Sequence, residues 1–249
     1  MSMLRLDNVT KRFGQLMANQ NVSLDLAAGG ISAVIGPNGA GKTTLFNLIT
    51  GFLTPTEGRV YFDGRDITGV KPEARVAGGM VRTFQITEIF PELTTLENLR
   101  IGIETRLGIN YRPFIPRGLR AEVTRRVDAL MALTGLSAKA DDLVGELAHG
   151  DQRVVEVALA LSLEPKLLLL DEPTAGMGER ETDEMVALIR RLHVERGLTI
   201  LFIEHDMNIV FNVAQRITVM DYGRVLASGT PAEIAADARV QAAYLGGEA

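Results

Sequence analysis

The sequence contains no cysteine and no tryptophan among its 249 residues. Without cysteine there are no disulfides and no thiolate metal sites, and a cytosolic location is permitted. Histidine is scarce too, with only His149, His193 and His205. No apolar run approaches the ~18 residues of a membrane span. The N-terminal stretch MSMLRLDNVTKRFG is mixed polar and does not read as a signal peptide. The expectation is a protein that is soluble by itself, with any membrane role peripheral. Neither an internal repeat nor a low-complexity linker is visible. Charge is not one-sided: 26 basic and 31 acidic residues leave a net −5, which supplies no overall drive toward nucleic acid. With 46% hydrophobic residues, the chain is long enough to bury a large core, and its length bounds it at ~1–2 domains.

What is present is organised around residues 31–50. The β-branched run Ile31 to Ile35 reads as a buried strand. A glycine-rich turn follows, then a helix starting near Gly41. Gly36, Gly39, Gly41, Lys42 and Thr43 satisfy G-x-x-x-x-G-K-[ST] in the strand–turn–helix context that the motif requires. Glycines lack a Cβ, so the backbone can curl its N–H groups against phosphate oxygens, and the helix N-terminus adds partial positive charge. Lys42 is placed to reach the β- and γ-phosphates, and Thr43 to bind Mg²⁺. The alternative, a plain glycine turn, leaves the filled positions unexplained. A nucleoside triphosphate site follows.

Around this site the sequence alternates strands and helices. Residues 3–13, 20–27, 58–62 and 80–84 read as strands. Phe13, closing the first, could stack on a purine or be an ordinary core aromatic. From 94 to 163 the pattern turns helical: Thr94-Thr95-Leu96-Glu97 is a capping-box signature, 119–134 is a second helix, and Asp151 to Leu163 a third, with Asp151 as its N-cap. Residues 106–119 carry no helical period. Beyond 164 the alternation resumes with a strand at 166–170, a helix at 179–195, a strand at 198–203 and a helix at 207–213. A hairpin about Asp221-Tyr222-Gly223-Arg224 and two short helices finish the chain. The expected architecture is one α/β unit: a P-loop NTPase (RecA-like) core from 1–86 and 164–249, an N-terminal antiparallel β region, and an inserted helical subdomain over 87–163.

Leu167 to Leu170 followed by Asp171-Glu172 is a buried parallel strand ending in two carboxylates, at the sheet edge where ligands sit in such folds. Asp171 is placed to hold Mg²⁺ and Glu172 to polarise a water that attacks the γ-phosphate. The alternative is a strand end followed by an acidic cap before Pro173. Gln85 closes a strand and could sense Mg²⁺ or that water. His205 follows another strand and could contact the γ-phosphate. His193 reads as a solvated surface residue. Leu147 to Gln152 opens a helix, and its N-terminus is a second anion-binding feature or simply a glycine turn.

Taken together, these residues resemble the ATP-binding cassette family, the ATPase subunits of ABC transporters, over almost the whole chain. Phe13 matches the adenine-stacking aromatic, and Gly36, Pro37, Asn38, Gly39, Ala40, Gly41, Lys42, Thr43 and Thr44 the Walker A loop and helix start. Gln85 matches the Q-loop, Leu147 to Asp151 the signature, Leu167 to Glu172 Walker B, and His205 the switch histidine. LAHGDQR, EHDM, DYGRVLASGTPAEI and the C-terminal YLG are similar to the branch that serves branched-chain amino acid importers, with relatives that move amides or urea. The resemblance implies ATP with Mg²⁺ held by Thr43, Gln85 and Asp171, catalysis by Glu172, His205 and Gln85, and a head-to-tail dimer of like or paralogous subunits. In that dimer Ala148, His149, Gly150 and Asp151 would contact ATP in trans. It also implies membrane-spanning permease subunits, a periplasmic or surface solute-binding protein, a place at the cytoplasmic membrane face, and no nucleic-acid partner. The signature departs from the common pattern at Ala148, His149 and Asp151, and Ala175 to Gly178 lack the usual aspartate. The lysines form no [NT]-K-x-D guanine motif, which argues against a GTPase. One cassette without cysteine or room for a long coiled coil disfavours DNA-repair and ribosomal members.

Overall fold

In the computed structural model of the chain, residues 2–83, 89–110 and 115–245 are described. Two long strands, β1 (Ser2–Phe13) and β2 (Leu16–Ala27), form an antiparallel hairpin. Then come β3 (Ile31–Ile35), α1 (Lys42–Thr50), β4 (Glu57–Phe62), β5 (Arg65–Asp66), α2 (Pro72–Ala77) and β6 (Met80–Arg82). The helical stretch comprises α3 (Thr95–Leu107), α4 (Arg117–Thr134) and α5 (His149–Ser162). After it run β7 (Leu167–Asp171), α6 (Glu179–Arg196), β8 (Thr199–Ile203), α7 (Met207–Val213), β9 (Arg216–Asp221), β10 (Arg224–Gly229), α8 (Pro231–Ala236) and α9 (Ala238–Leu245).

Two sheets result. A four-stranded antiparallel sheet has the order β2-β1-β4-β5, and a six-stranded sheet the order β10-β9-β3-β8-β7-β6. In the larger sheet every pairing is parallel except β10 with β9. The central strands are apolar on both sides because both faces are covered, and their side chains divide with a period of two. Ile31, Ala33, Ile35, Leu168, Leu170, Ile200 and Phe202 pack toward α6 and α7. Val34, Leu167, Leu169, Leu201 and Ile203 face the other way, toward α1 and the antiparallel sheet. The helix that follows the glycine loop is therefore enclosed between two sheets, with Leu45, Phe46, Leu48 and Ile49 fully buried.

The helices α3, α4 and α5 build a separate core from Leu99, Ile103, Val123, Val127, Leu130, Met131, Val155 and Ala158. Helix α3 begins as its sequence dictates: Glu97 N–H donates to Thr94 Oγ1 and Thr94 N–H to Glu97 Oε2. Several boundaries differ from expectation. Strand β2 starts at Leu16 rather than 20, because a turn at Gly14 (φ 59°) lets Leu16 and Met17 pair with Phe13 and Arg12. Helix α4 starts at Arg117 rather than 119. Helix α5 starts at His149, with Ala148 at the N-cap, so Asp151 lies inside the first turn and is not the cap. Its carboxylate forms an ion pair with Lys139 instead. His193 is half-buried rather than solvated, its Nε2 lying 3.2 Å from Gln215 Nε2.

Candidate functional site

The loop between β3 and α1 is held in shape by close packing. Gly36 (φ 154°) lies against the Met220 carbonyl, and Gly41 (φ 95°) against the Ala18 carbonyl and the Asn19 amide. A Cβ at either position would collide with these groups. Asn19, fully buried on β2, donates from Nδ2 to Gly41 O at 3.2 Å. Gly223 N–H, from the β9–β10 turn, donates to Ala40 O at 3.1 Å, and Gly223 O accepts from Gln20 N–H at 2.7 Å. Asn19 and Gly223 were not legible as site residues in the sequence, because only tertiary pairing brings them to the loop. Lys42 turns back into the loop, its ammonium donating to Gly36 O at 2.7 Å and Pro37 O at 3.0 Å. Burial pushes its pKa below the ordinary lysine value, while the Glu172 and Asp171 carboxylates act to raise it.

An open pocket of about 620 Å³ lies over this loop. Asn38 to Thr44 form its floor, Phe13 and Tyr222 contribute aromatic walls, and Glu172 and His205 complete it. Its size suits a nucleotide-sized ligand. Phe13 is 47% exposed, so it is a wall of the pocket and not a core aromatic. Lys11 Nζ lies 5.2 Å from its ring centroid. Thr43 is exposed at the helix start.

The carboxylates at the end of β7 have different surroundings. Asp171 is 2% exposed and pairs with Arg82 of the neighbouring strand β6, Nη2 to Oδ2 at 2.5 Å. Arg82 also donates from Nη1 to Asn47 Oδ1 at 2.7 Å and lies over the Phe46 ring. Glu172 leaves the strand in the left-handed region (φ 51°), an uncommon conformation for a side chain of this size. Its N–H donates to Ile203 O at 3.0 Å, and its Oε1 meets His205 Nε2 at 2.7 Å. The carboxylate can only accept, so the imidazole nitrogen carries the proton between them. Glu172, His205, Phe13 and the phosphate loop thus share one pocket. Ala148, His149, Gly150 and Asp151 do not line it; they form the start of α5, where the His149 ring lies beside Gly176. Gln85 lies outside the described residues.

The donor set fits a triphosphate with a divalent cation. Gly36 and Gly41 leave no room for a Cβ, a cation points into the loop, and an exposed hydroxyl stands at the helix start, with a carboxylate at the end of β7, two strands from β3 in the same sheet. Among the described residues no helix is long and apolar enough to cross a membrane.

Comparison with known proteins places this geometry. Residues 19–175 match the family model described as ABC transporter, and residues 224–249 that described as branched-chain amino acid ATP-binding cassette transporter. The chain is 39% identical over 249 residues to the high-affinity branched-chain amino acid transport ATP-binding protein BraF of Pseudomonas aeruginosa, covering 98% of this chain and 97% of the relative. It is 40% identical over 250 residues to the protein of the same description, LivG, of Salmonella typhimurium, covering 98% of each. Among solved structures, a nucleotide-free ATP-binding cassette from an ABC transporter superposes with TM-score 0.85 at 34% identity, over 98% of this chain and 99% of that one. A post-hydrolysis dimer of the cassette MJ0796 bound to ADP and Pi gives TM-score 0.77 at 27% identity, over 92% and 99%. With the phosphate loop, Glu172 and His205 in one pocket of this fold, the chain belongs to the ABC transporter family as one of its ATP-hydrolysing cassettes.

Proposed function

We propose that this cassette powers import of branched-chain amino acids, with ATP bound in the pocket over residues 36–44. The reading is carried by one observation: the Glu172 carboxylate and the His205 imidazole meet at 2.7 Å beside the phosphate loop. Phe13 stacks on the adenine. The loop N–H groups and Lys42 take the phosphates, Lys42 exchanging its carbonyl partners for phosphate oxygens. Glu172 accepts a proton from the attacking water as its oxygen bonds to Pγ and the bond to the β,γ-bridging oxygen breaks, releasing ADP and phosphate. His205 orients Glu172 and contacts the γ-phosphate. Thr43, Asp171 and Gln85 would hold Mg²⁺, which neutralises charge on the transferring phosphoryl group. Asp171 would do so while also paired with Arg82. The start of α5, from Ala148 to Asp151, completes the site on a second subunit in a head-to-tail dimer. Residues 87–163 form the subdomain that docks on permease subunits at the cytoplasmic membrane face, and these in turn receive solute from a binding protein. The solute assignment is supported by the names of relatives that align over nearly the whole chain.

Glu172→Gln is expected to slow ATP turnover by ~10²–10⁴-fold while nucleotide still binds, and Lys42→Ala to abolish binding or turnover with the fold intact. Near-normal turnover by either variant refutes the site. Purification of the complex from membranes, followed by binding of labelled leucine, isoleucine and valine to the co-purified solute-binding protein, tests the solute class.

A further inference from the structure

Glu204 opens the EHDM segment but does not line the phosphate pocket, and no role has been given to its carboxylate. It stands between the end of β8 and His205, and it is 4% exposed. No lysine, arginine or histidine is ion-paired with it among the described residues. Burying such a charge is costly unless donors satisfy it, and here the donors come from two loops. Oε1 accepts from Thr174 N–H at 2.9 Å and from Thr174 Oγ1 at 2.6 Å. Oε2 accepts from His205 N–H at 3.2 Å. Thr174 is itself buried and lies two residues beyond Glu172.

We propose that Glu204 is a positioning residue for hydrolysis, fixing the loop after β7 and the loop after β8 so that Glu172 and His205 meet. The proposal rests on the roles given to those two residues above. The contacts close a ring. Glu172 runs through the chain to Thr174, Thr174 bonds to Glu204, Glu204 holds the His205 backbone, and the His205 imidazole returns to Glu172 at 2.7 Å. The same hold extends outward. Ala175 N–H donates to Glu172 O and Met177 N–H to Thr174 O, so the segment after Thr174 is coiled on itself. Its Gly176 (φ 77°) lies so near His149 that a Cβ would come within 3.2 Å of Cε1. Releasing Thr174 therefore frees both the loop that carries the base and the surface that supports the first turn of α5. A neutral amide cannot substitute for Glu204. Whichever way it is flipped, its NH₂ faces an N–H or O–H that also needs an acceptor.

The test is steady-state ATP hydrolysis by the full chain, with nucleotide binding and thermal melting measured on the same preparations. Variants are Glu204→Gln, Thr174→Val, Thr174→Ser and their doubles, with Glu172→Gln as reference. Glu204→Gln and Thr174→Val should each lower kcat by ~10–100-fold, the scale for small misplacement of a catalytic group. KM and ATP affinity should stay within about twofold. Thr174→Ser, which keeps the hydroxyl, should return kcat to within about twofold of the parent, and the Glu204→Gln/Thr174→Val double should fall short of the product of the singles. Parent-like kcat in both Glu204→Gln and Thr174→Val overturns the proposal. So does a loss that follows only the fraction of folded protein. If Glu204→Gln does not fold, the valine–serine pair at 174 decides alone. Normal turnover by Glu172→Gln would refute the underlying site reading. An inactive Glu172→Gln beside fully active Glu204→Gln and Thr174→Val refutes the positioning role only.

Discussion

Arg75 offers the largest stability effect that can be worked from the structure. It is 3% exposed on α2 and has no carboxylate partner among the described residues. Its guanidinium donates to five backbone carbonyls: Leu48, Ile49, Ile67, Thr68 and Val70, at 2.5–3.2 Å. Leu48 and Ile49 belong to the last turn of α1, where a cation also opposes the negative end of the helix dipole. Burial lowers its pKa from the ordinary arginine value to about 10, a desolvation cost of ~3 kcal/mol at ~1.4 kcal/mol per pKa unit. Hydrogen bonds from a charged donor contribute ~1.5 kcal/mol each at the low end of their range, ~7.5 kcal/mol in all. Arg75→Met should therefore lose ~4 kcal/mol, a large part of the ~5–15 kcal/mol of a typical domain. Melting should fall by ~8–16 °C at this chain length. Urea denaturation with an unchanged m-value checks it, and a loss under ~1 kcal/mol would refute the reasoning. Arg75→Lys adds a pH signature. The same burial would hold a lysine there below its ordinary ~10.4 in the folded state. The unfolded chain then binds more protons than the folded one as pH approaches ~10.4 from below, so the variant's stability should rise with pH in that range. The parent, whose Arg75 stays protonated below about pH 10, has no such rise from this residue.

Three further outcomes are expected. Tyr222 sits at φ 42° in the β9–β10 turn and is 88% exposed, so Tyr222→Asn should relieve backbone strain and raise stability by ~0.5–1 kcal/mol; an unchanged or lower melting temperature would contradict this. Gly41→Ala, forced against the Ala18 carbonyl at φ 95°, should cost ~2 kcal/mol or more and abolish ATP binding measured by fluorescent nucleotide titration. Thr94→Ala removes the capping box of α3 and should cost ~1 kcal/mol by urea denaturation without changing ATP affinity.

How much of this was legible in the sequence depended on whether the determinant is local. The glycine loop, the leucine strand ending at Asp171 and the Thr94 box are set by neighbours along the chain, and each falls where its residues indicate. The sequence predicts the start of α5 two residues late because Asp151 has the chemistry of a cap. Its actual partner is Lys139, and the true N-cap, Ala148, has no side chain able to cap. The first residues of β2, 16–19, fall outside the strand expected at 20–27, because Ala18 and Asn19 are small or polar. They are strand because they brace the phosphate loop as well as β1. Arg82 gave no sign of its bond to Asp171, since the contact depends on β6 lying next to β7. Glu204 could have been suspected as a carboxylate directly following an apolar strand, but its partner Thr174 lies thirty residues away.

The bracing of the phosphate loop has a temporal consequence. Gly36 seats against Met220, and Ala40 is bonded to Gly223, so the motif needs strand β9 and its turn before it has its final shape. During synthesis at ~5–20 residues per second, the ribosome finishes residue 43 many seconds before it reaches 223. Throughout that interval the nascent chain carries every letter of the nucleotide motif but lacks the support that shapes it. The ATP site is thus among the last parts of the molecule to mature. A chain released before β9 would be a folding intermediate without its ligand, exposed to chaperones and proteases at the stage when ATP cannot stabilise it.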